Sequence, residues 1–162
     1  ATTEIYTLSQ HDALPIWSPM GRVEIDLPER FPYAVELTVR VGDLNYGNHL
    51  GNDAVLALIH EARRSYFRSL GTDEIGTDGS GFVVADSAVI YRAQAFYADR
   101  LRIEVAAGDF GSRSCAFFFR VSNAADGRVV AEARTGMVSF DFKAQKAMSI
   151  PPALRAKLQG GS

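Results

Sequence analysis

The amino-acid sequence predicts an α+β fold in which one long helix packs against a curled antiparallel sheet. Three observations predict it. Residues 33–42 alternate apolar and polar side chains, an amphipathic stretch of helical period runs from Asn52 to Leu70, and from Phe82 onward the period returns to two and stays there. A single apolar helix stripe laid on an antiparallel sheet buries both apolar faces in a two-layer arrangement.

In the first strand, Val35, Leu37, Val39 and Val41 share one face, and Glu36, Thr38 and Arg40 the other, as a half-buried strand requires. A polar, glycine-bearing stretch follows, Gly42-Asp-Leu-Asn-Tyr-Gly-Asn-His-Leu-Gly51. In the helix, Val55, Leu58, Ile59, Ala62, Tyr66 and Leu70 recur at helical spacing, with Leu56 and Phe67 widening the stripe. Asn52 suits the N-cap, Asp53 suits the positive end of the helix dipole, and Gly71 stops the helix. At ~1.5 Å per residue the helix measures about 28 Å. A Gly/Thr/Asp/Ser loop over 71–81 leads to strands at 82–92, 101–107, 114–121 and 129–142, which makes five strands. Asp126-Gly127 between the last two is a hairpin turn signal. A proline-started tail, 151–158, reads as a short helix.

Bulk properties exclude several function classes. The 162 residues fit one domain, and 47% hydrophobic with 22% charged residues is ordinary for a globular chain. The net charge of −2 supplies no basic field to draw the chain to nucleic acid. No apolar run approaches the ~20 residues of a membrane span. One cysteine, Cys115, excludes an intrachain disulfide framework and a multi-cysteine metal site, and no basic partner near it in sequence marks it as a nucleophile. A cytoplasmic location is expected. Residues 1–30 lack any sustained period and are read as a poorly structured segment preceding a domain at 31–158. Within it, residues 1–16 resemble a translated sequencing-library adapter, so His11 enters no site.

The segment Val41-Gly-Asp-Leu-Asn-Tyr-Gly-Asn-His-Leu-Gly-Asn-Asp53, with Glu61-Ala-Arg63 after it, resembles the signature of hotdog-fold thioesterases of the 4-hydroxybenzoyl-CoA thioesterase type. The likeness continues through Phe82-Val-Val84, Tyr91, Ala95 and Asp99-Arg-Leu101, and covers residues 33–158. It implies a hotdog fold, a long central helix wrapped by a five-stranded antiparallel sheet. It also implies hydrolysis of an acyl-CoA thioester to free acid and coenzyme A by an activated water. Coenzyme A is then part of the substrate and no other cofactor is implied. The long, Val- and Ala-rich strand at 82–91 would be an exposed edge in a monomer, so a homodimer or a dimer of dimers is expected, with active sites at the interface.

One departure bears on mechanism. Asn45 stands where the family carries its catalytic aspartate, and an amide can orient water or donate to a carbonyl oxygen but cannot take a proton. Asp43, Asn45 and His49 form the catalytic set that the resemblance implies, with His49 as general base because imidazole titrates near neutrality. Asp43 either orients His49 or binds the water, or makes a turn of its own. Backbone N–H groups at Leu50, Gly51 and Asn52 are candidate oxyanion donors at the helix start. Arg113 falls where the family carries basic residues for the nucleotide, as a phosphate clamp. Asp53 is read first as helix-start electrostatics, His60 as structural or exposed, and Glu61 as a largely buried carboxylate paired with Arg64 or with an arginine of a second subunit.

Two rival readings are an enoyl-thioester hydratase on the same fold and a non-catalytic acyl-thioester binding module. The former has a similar Asp-to-His loop, but the spacing and a missing proline argue against it. Asn45 in place of the acid raises the latter.

Overall fold

The computed structural model describes residues 23–76 and 78–160. The expected poorly structured segment lies outside the described residues as far as residue 22, and residues 23–32 carry neither helix nor strand. Among the described residues the chain forms β1 (Tyr33–Thr38), α1 (Asn52–Ser69), β2 (Ser80–Tyr91), β3 (Arg100–Gly108), β4 (Ser114–Asn123), β5 (Val129–Asp141), β6 (Lys146–Ala147) and α2 (Pro152–Gly160). All strand pairs are antiparallel, in the order β1-β3-β4-β5-β2, and β6 pairs with the end of β5.

The α+β class and the antiparallel sheet are as the periodicity predicts, with two differences. The sheet has a sixth strand, whose two residues are too short to register as a period. And α1 is not a long central helix wrapped by the sheet. It is an 18-residue helix laid over β1 and β3, and its outer face, with Asp53, His60, Glu61, Arg64 and Arg68, is exposed. A helix with charges on one side can bury only its apolar stripe.

That stripe makes the core. Val55, Leu58, Ile59, Ala62, Tyr66 and Phe67 face Leu101, Ile103, Val105, Phe117 and Phe119, all buried. Tyr66 stacks on Tyr33 at 5.4 Å between ring centroids and meets Phe117 edge-on at 6.4 Å, pinning the helix to β1 and β4. Leu56, expected in the stripe, is 42% exposed because it points past the sheet's rim toward β2.

β1 ends at Thr38, and Val41, expected on its buried face, is 74% exposed. The chain leaves the sheet there in a single 3-10 turn over Val41–Asp43, closed by the Asp43 N–H donating to the Arg40 carbonyl at 3.0 Å. This turn points the following loop toward the start of α1. The Asp126-Gly127 signal is realised in the β4–β5 hairpin, where Gly127 adopts φ +74° and its N–H donates to the Asn123 carbonyl at 2.8 Å.

Candidate active site

The loop between the 3-10 turn and α1 is held by its own backbone. The Asn45 N–H donates to the His49 carbonyl at 2.9 Å, and Leu44 and Leu50 pair as an isolated bridge. The Asn45 Oδ1 accepts from the Gly47 N–H at 2.8 Å in a two-residue Asx turn, which leaves the Asn45 amide –NH2 as its outward donor. A β-carbon on Gly47 would lie 2.9 Å from His49 Nε2 and 3.1 Å from Asn45 Oδ1. The imidazole therefore rests on Gly47 with Asn45 beside it. His49 Nδ1 lies 3.3 Å from the Leu50 carbonyl, which can only accept, so Nδ1 is the donor in this contact.

Asp43 does not meet His49. Its carboxylate accepts from the Arg40 backbone N–H at 2.8 Å and from the Arg40 guanidinium at 3.1 and 3.2 Å. These hydrogen bonds and the adjacent positive charge outweigh its burial and hold the Asp43 carboxyl below the usual carboxylate range. Its backbone carbonyl, meanwhile, accepts the Gly51 N–H at 2.9 Å.

The start of α1 departs from expectation. Gly51, not Asn52, is the N-cap, and no side chain caps the helix. The Leu50 N–H donates to the Ala95 carbonyl at 2.8 Å and the Gly51 N–H to Asp43, so neither of these two expected donors is available. The first helical bond is made by the Val55 N–H to the Gly51 carbonyl at 3.2 Å. The N–H groups of Asn52, Asp53 and Ala54 therefore have no acceptor among the described residues, and of the expected trio Asn52 alone remains a donor.

Asn52 borders a cleft of about 600 Å³ that is also lined by Asn45, His49, Val55, Tyr91 and Phe96, with Arg92 and Arg128. Sequence reasoning missed a role for Tyr91, whose hydroxyl donates to the Asn52 carbonyl at 3.0 Å from 39 residues away. Burial first, and then the Asp53 carboxylate, push the Tyr91 hydroxyl's pKa up. A second cleft of about 700 Å³ continues along the same seam between α1 and β2, past Leu56, Ile59 and Ser87, to the buried Arg63–Glu74 ion pair at 2.9 Å.

Other candidates fall elsewhere. Arg113 sits at the far end of β4, the length of that ten-residue strand from the cleft, about 33 Å at ~3.3 Å per residue. Within one chain it does not reach the site. Glu61, expected to be buried and paired with Arg64, is exposed, while Arg64 pairs with Asp73 and the buried pair belongs to Arg63. His60 is exposed, 3.7 Å from Glu74. Cys115 is buried in β4 with its thiol pushed up to about 12 by desolvation, as a core residue rather than a nucleophile. Among the described residues no group of three or more His, Cys, Asp or Glu side chains is placed to hold a metal ion. No helix of the described residues is long and apolar enough to cross a membrane.

Asn45, His49 and the first residue of α1 thus line one cleft beside an antiparallel sheet. The chain belongs to the thioesterase-like superfamily, whose family profile matches residues 39–158. Its fold is similar to that of a 1,4-dihydroxy-2-naphthoyl-CoA thioesterase from Synechocystis (TM-score 0.73, 18% identity, covering 78% of this chain and 95% of that one). It is also similar to a gentisyl-coenzyme A thioesterase (TM-score 0.69, 18% identity, 78% and 99% covered) and to a Pseudomonas aeruginosa protein (TM-score 0.74, 20% identity, 82% and 92% covered). No curated protein matches the chain in sequence.

Proposed function

We propose that this protein hydrolyses an acyl-CoA thioester at the junction of the 44–51 loop and α1. The observation that carries the reading is the unpartnered N–H of Asn52, the first of three such groups at the start of α1, on the cleft that Asn45 and His49 also line. Thioester hydrolysis builds negative charge on the carbonyl oxygen. Amides fixed at the positive end of a helix stabilise that charge without reorganising, at about 3 kcal/mol per good donor. The attacking water lies between the loop and the helix, hydrogen-bonded to His49 Nε2, and the Asn45 –NH2 donates to substrate or water. The acyl group extends along the seam between α1 and β2. Two of the structural neighbours are named for CoA thioesters, the carrier assigned here. Release of free thiol from a panel of aromatic and aliphatic acyl-CoAs tests the reading, with hydration of crotonyl-CoA as the rival readout. Hydration without thiol release would overturn it.

The site is completed in a homodimer. β2 lies at the sheet edge with Val84 53% exposed, and Leu56 and Ile75 beside it are also exposed. An uncovered edge of twelve residues with apolar side chains is a pairing surface. Light scattering at micromolar concentration is expected to give a dimer or a dimer of dimers; a stable monomer would sink this arrangement.

A further inference from the structure

Thioester hydrolysis needs a group that takes the water's proton, and the loop position where a carboxylate is expected holds Asn45, which cannot take one. Asp43 is occupied by Arg40 through three hydrogen bonds, and Glu61 lies on the exposed face of α1, more than two turns from its start. One carboxylate stands at the junction itself. A β-carbon placed on Gly51 would lie 2.5 Å from Asp53 Oδ1 and 3.7 Å from Asn45 Cβ, so both side chains border the same point above the helix start. Asp53 is exposed and makes no hydrogen bond or ion pair among the described residues. Its charge acts on Tyr91, which lines the cleft.

We infer that Asp53 is the catalytic base of this site and stands in for the carboxylate missing at Asn45, reaching the same water from the opposite side of Gly51. The assignment rests on the thioester-hydrolysis reading above. In the step, the water oxygen bonds to the thioester carbonyl carbon as one water proton passes to an Asp53 oxygen. The carbonyl electron pair moves onto the oxygen held by the helix-start N–H groups. Collapse of this intermediate breaks the C–S bond, the pair leaves on sulfur, and Asp53 returns its proton to the thiolate, giving acid and thiol. His49 orients the water and carries no net proton.

The test is steady-state hydrolysis of benzoyl-CoA and octanoyl-CoA by the parent, Asp53→Asn and Asn45→Asp/Asp53→Asn, with melting temperatures alongside. Asp53→Asn is expected to lower kcat about 10²-fold or more, with KM within about threefold, as loss of a general base does. A purely structural first-turn carboxylate would move the melting temperature and leave kcat in place. The double variant is expected to regain at least about tenfold of the loss, because the carboxylate returns to the other side of the same water. Asp53→Asn within about threefold of the parent's kcat, or no recovery in the double variant, would overturn the assignment. A parent that cleaves no CoA thioester removes the hydrolysis reading and this assignment together. An active parent indifferent to Asp53→Asn removes the assignment alone.

Discussion

The two ends of α1 are finished in opposite ways. At the C-terminal end the last carbonyls find donors. The Leu70 N–H reaches Tyr66 and Phe67, the Gly71 N–H reaches Arg68, and the Thr72 N–H reaches Phe67 at 3.2 Å, the paired bonds of a Schellman closure with Gly71 at φ +67°. Lys157 of α2 adds its ammonium to the Leu70 carbonyl at 2.9 Å, and the buried Arg63–Glu74 pair ties the next loop back to the helix. At the N-terminal end three N–H groups have no acceptor among the described residues and no capping side chain, and the first of them, at Asn52, borders the cleft. A fold that closes one end so completely could have capped the other with a serine or aspartate at position 51. Stability alone does not account for the open end. Donors left free at the positive end of a helix are what a developing oxyanion needs.

That contrast can be broken from either end, and the largest effect belongs to the closed one. Arg63→Met removes the guanidinium while leaving Glu74 nine-tenths buried, with His60 as its remaining neighbour at 3.7 Å. An uncompensated buried carboxylate costs about 3–5 kcal/mol, read as a large fall in urea midpoint. On the fraction that stays folded, kcat should hold.

At the open end the expected signature reverses. Asn52→Pro deletes one free N–H at the first helical position, where proline is tolerated, and Gly51 at φ −69°, ψ 148° already has the geometry a following proline demands. The fold should keep its melting temperature while kcat drops about 10²–10³-fold, the usual worth of one oxyanion donor. Unchanged kcat in a folded variant would show that this amide holds no oxyanion.

His49→Ala is expected to lower kcat about 10²-fold by releasing the attacking water, again with stability nearly intact. Full activity in that variant would remove the imidazole from the site.

Gly71→Ala gives the smallest effect. The added methyl meets nothing nearer than Lys157 Nζ at 3.9 Å, so the cost is the left-handed backbone alone, about 1–2 kcal/mol in chemical denaturation, with no change in kcat. A catalytic defect there would mean that the two ends of the helix are coupled.

Much of this architecture was legible beforehand, and the errors share a cause. The long strands and α1 lie within a few residues of where alternation and helical spacing put them, and Gly71 and Gly127 sit at the turns their chemistry marks. Val41 and Leu56 are exposed against their pattern because a period continues smoothly past the point where the chain turns off the sheet or the helix borders an open cleft. Ala57, Leu58 and Ala62 around Glu61 in sequence make it read as buried; in space the neighbouring Arg63 turns inward instead, toward Glu74 eleven residues on.

The sequence by itself determined what depends on neighbours a few residues away: the alternation of the strands, the stripe of α1, the left-handed glycines, and a loop carrying Asn45 and His49 just before a helix. The tertiary structure alone decided which backbone donors remain for a substrate. Leu50 and Gly51 spend theirs on Ala95 and Asp43, Tyr91 arrives from 39 residues away to hold Asn52, and Arg113 is carried to the far end of β4. The physical reason is that periodicity records which face a residue occupies, whereas a free N–H is defined by whether a distant strand or loop delivers an acceptor to it. That is set by sheet register and loop closure, which no local pattern encodes.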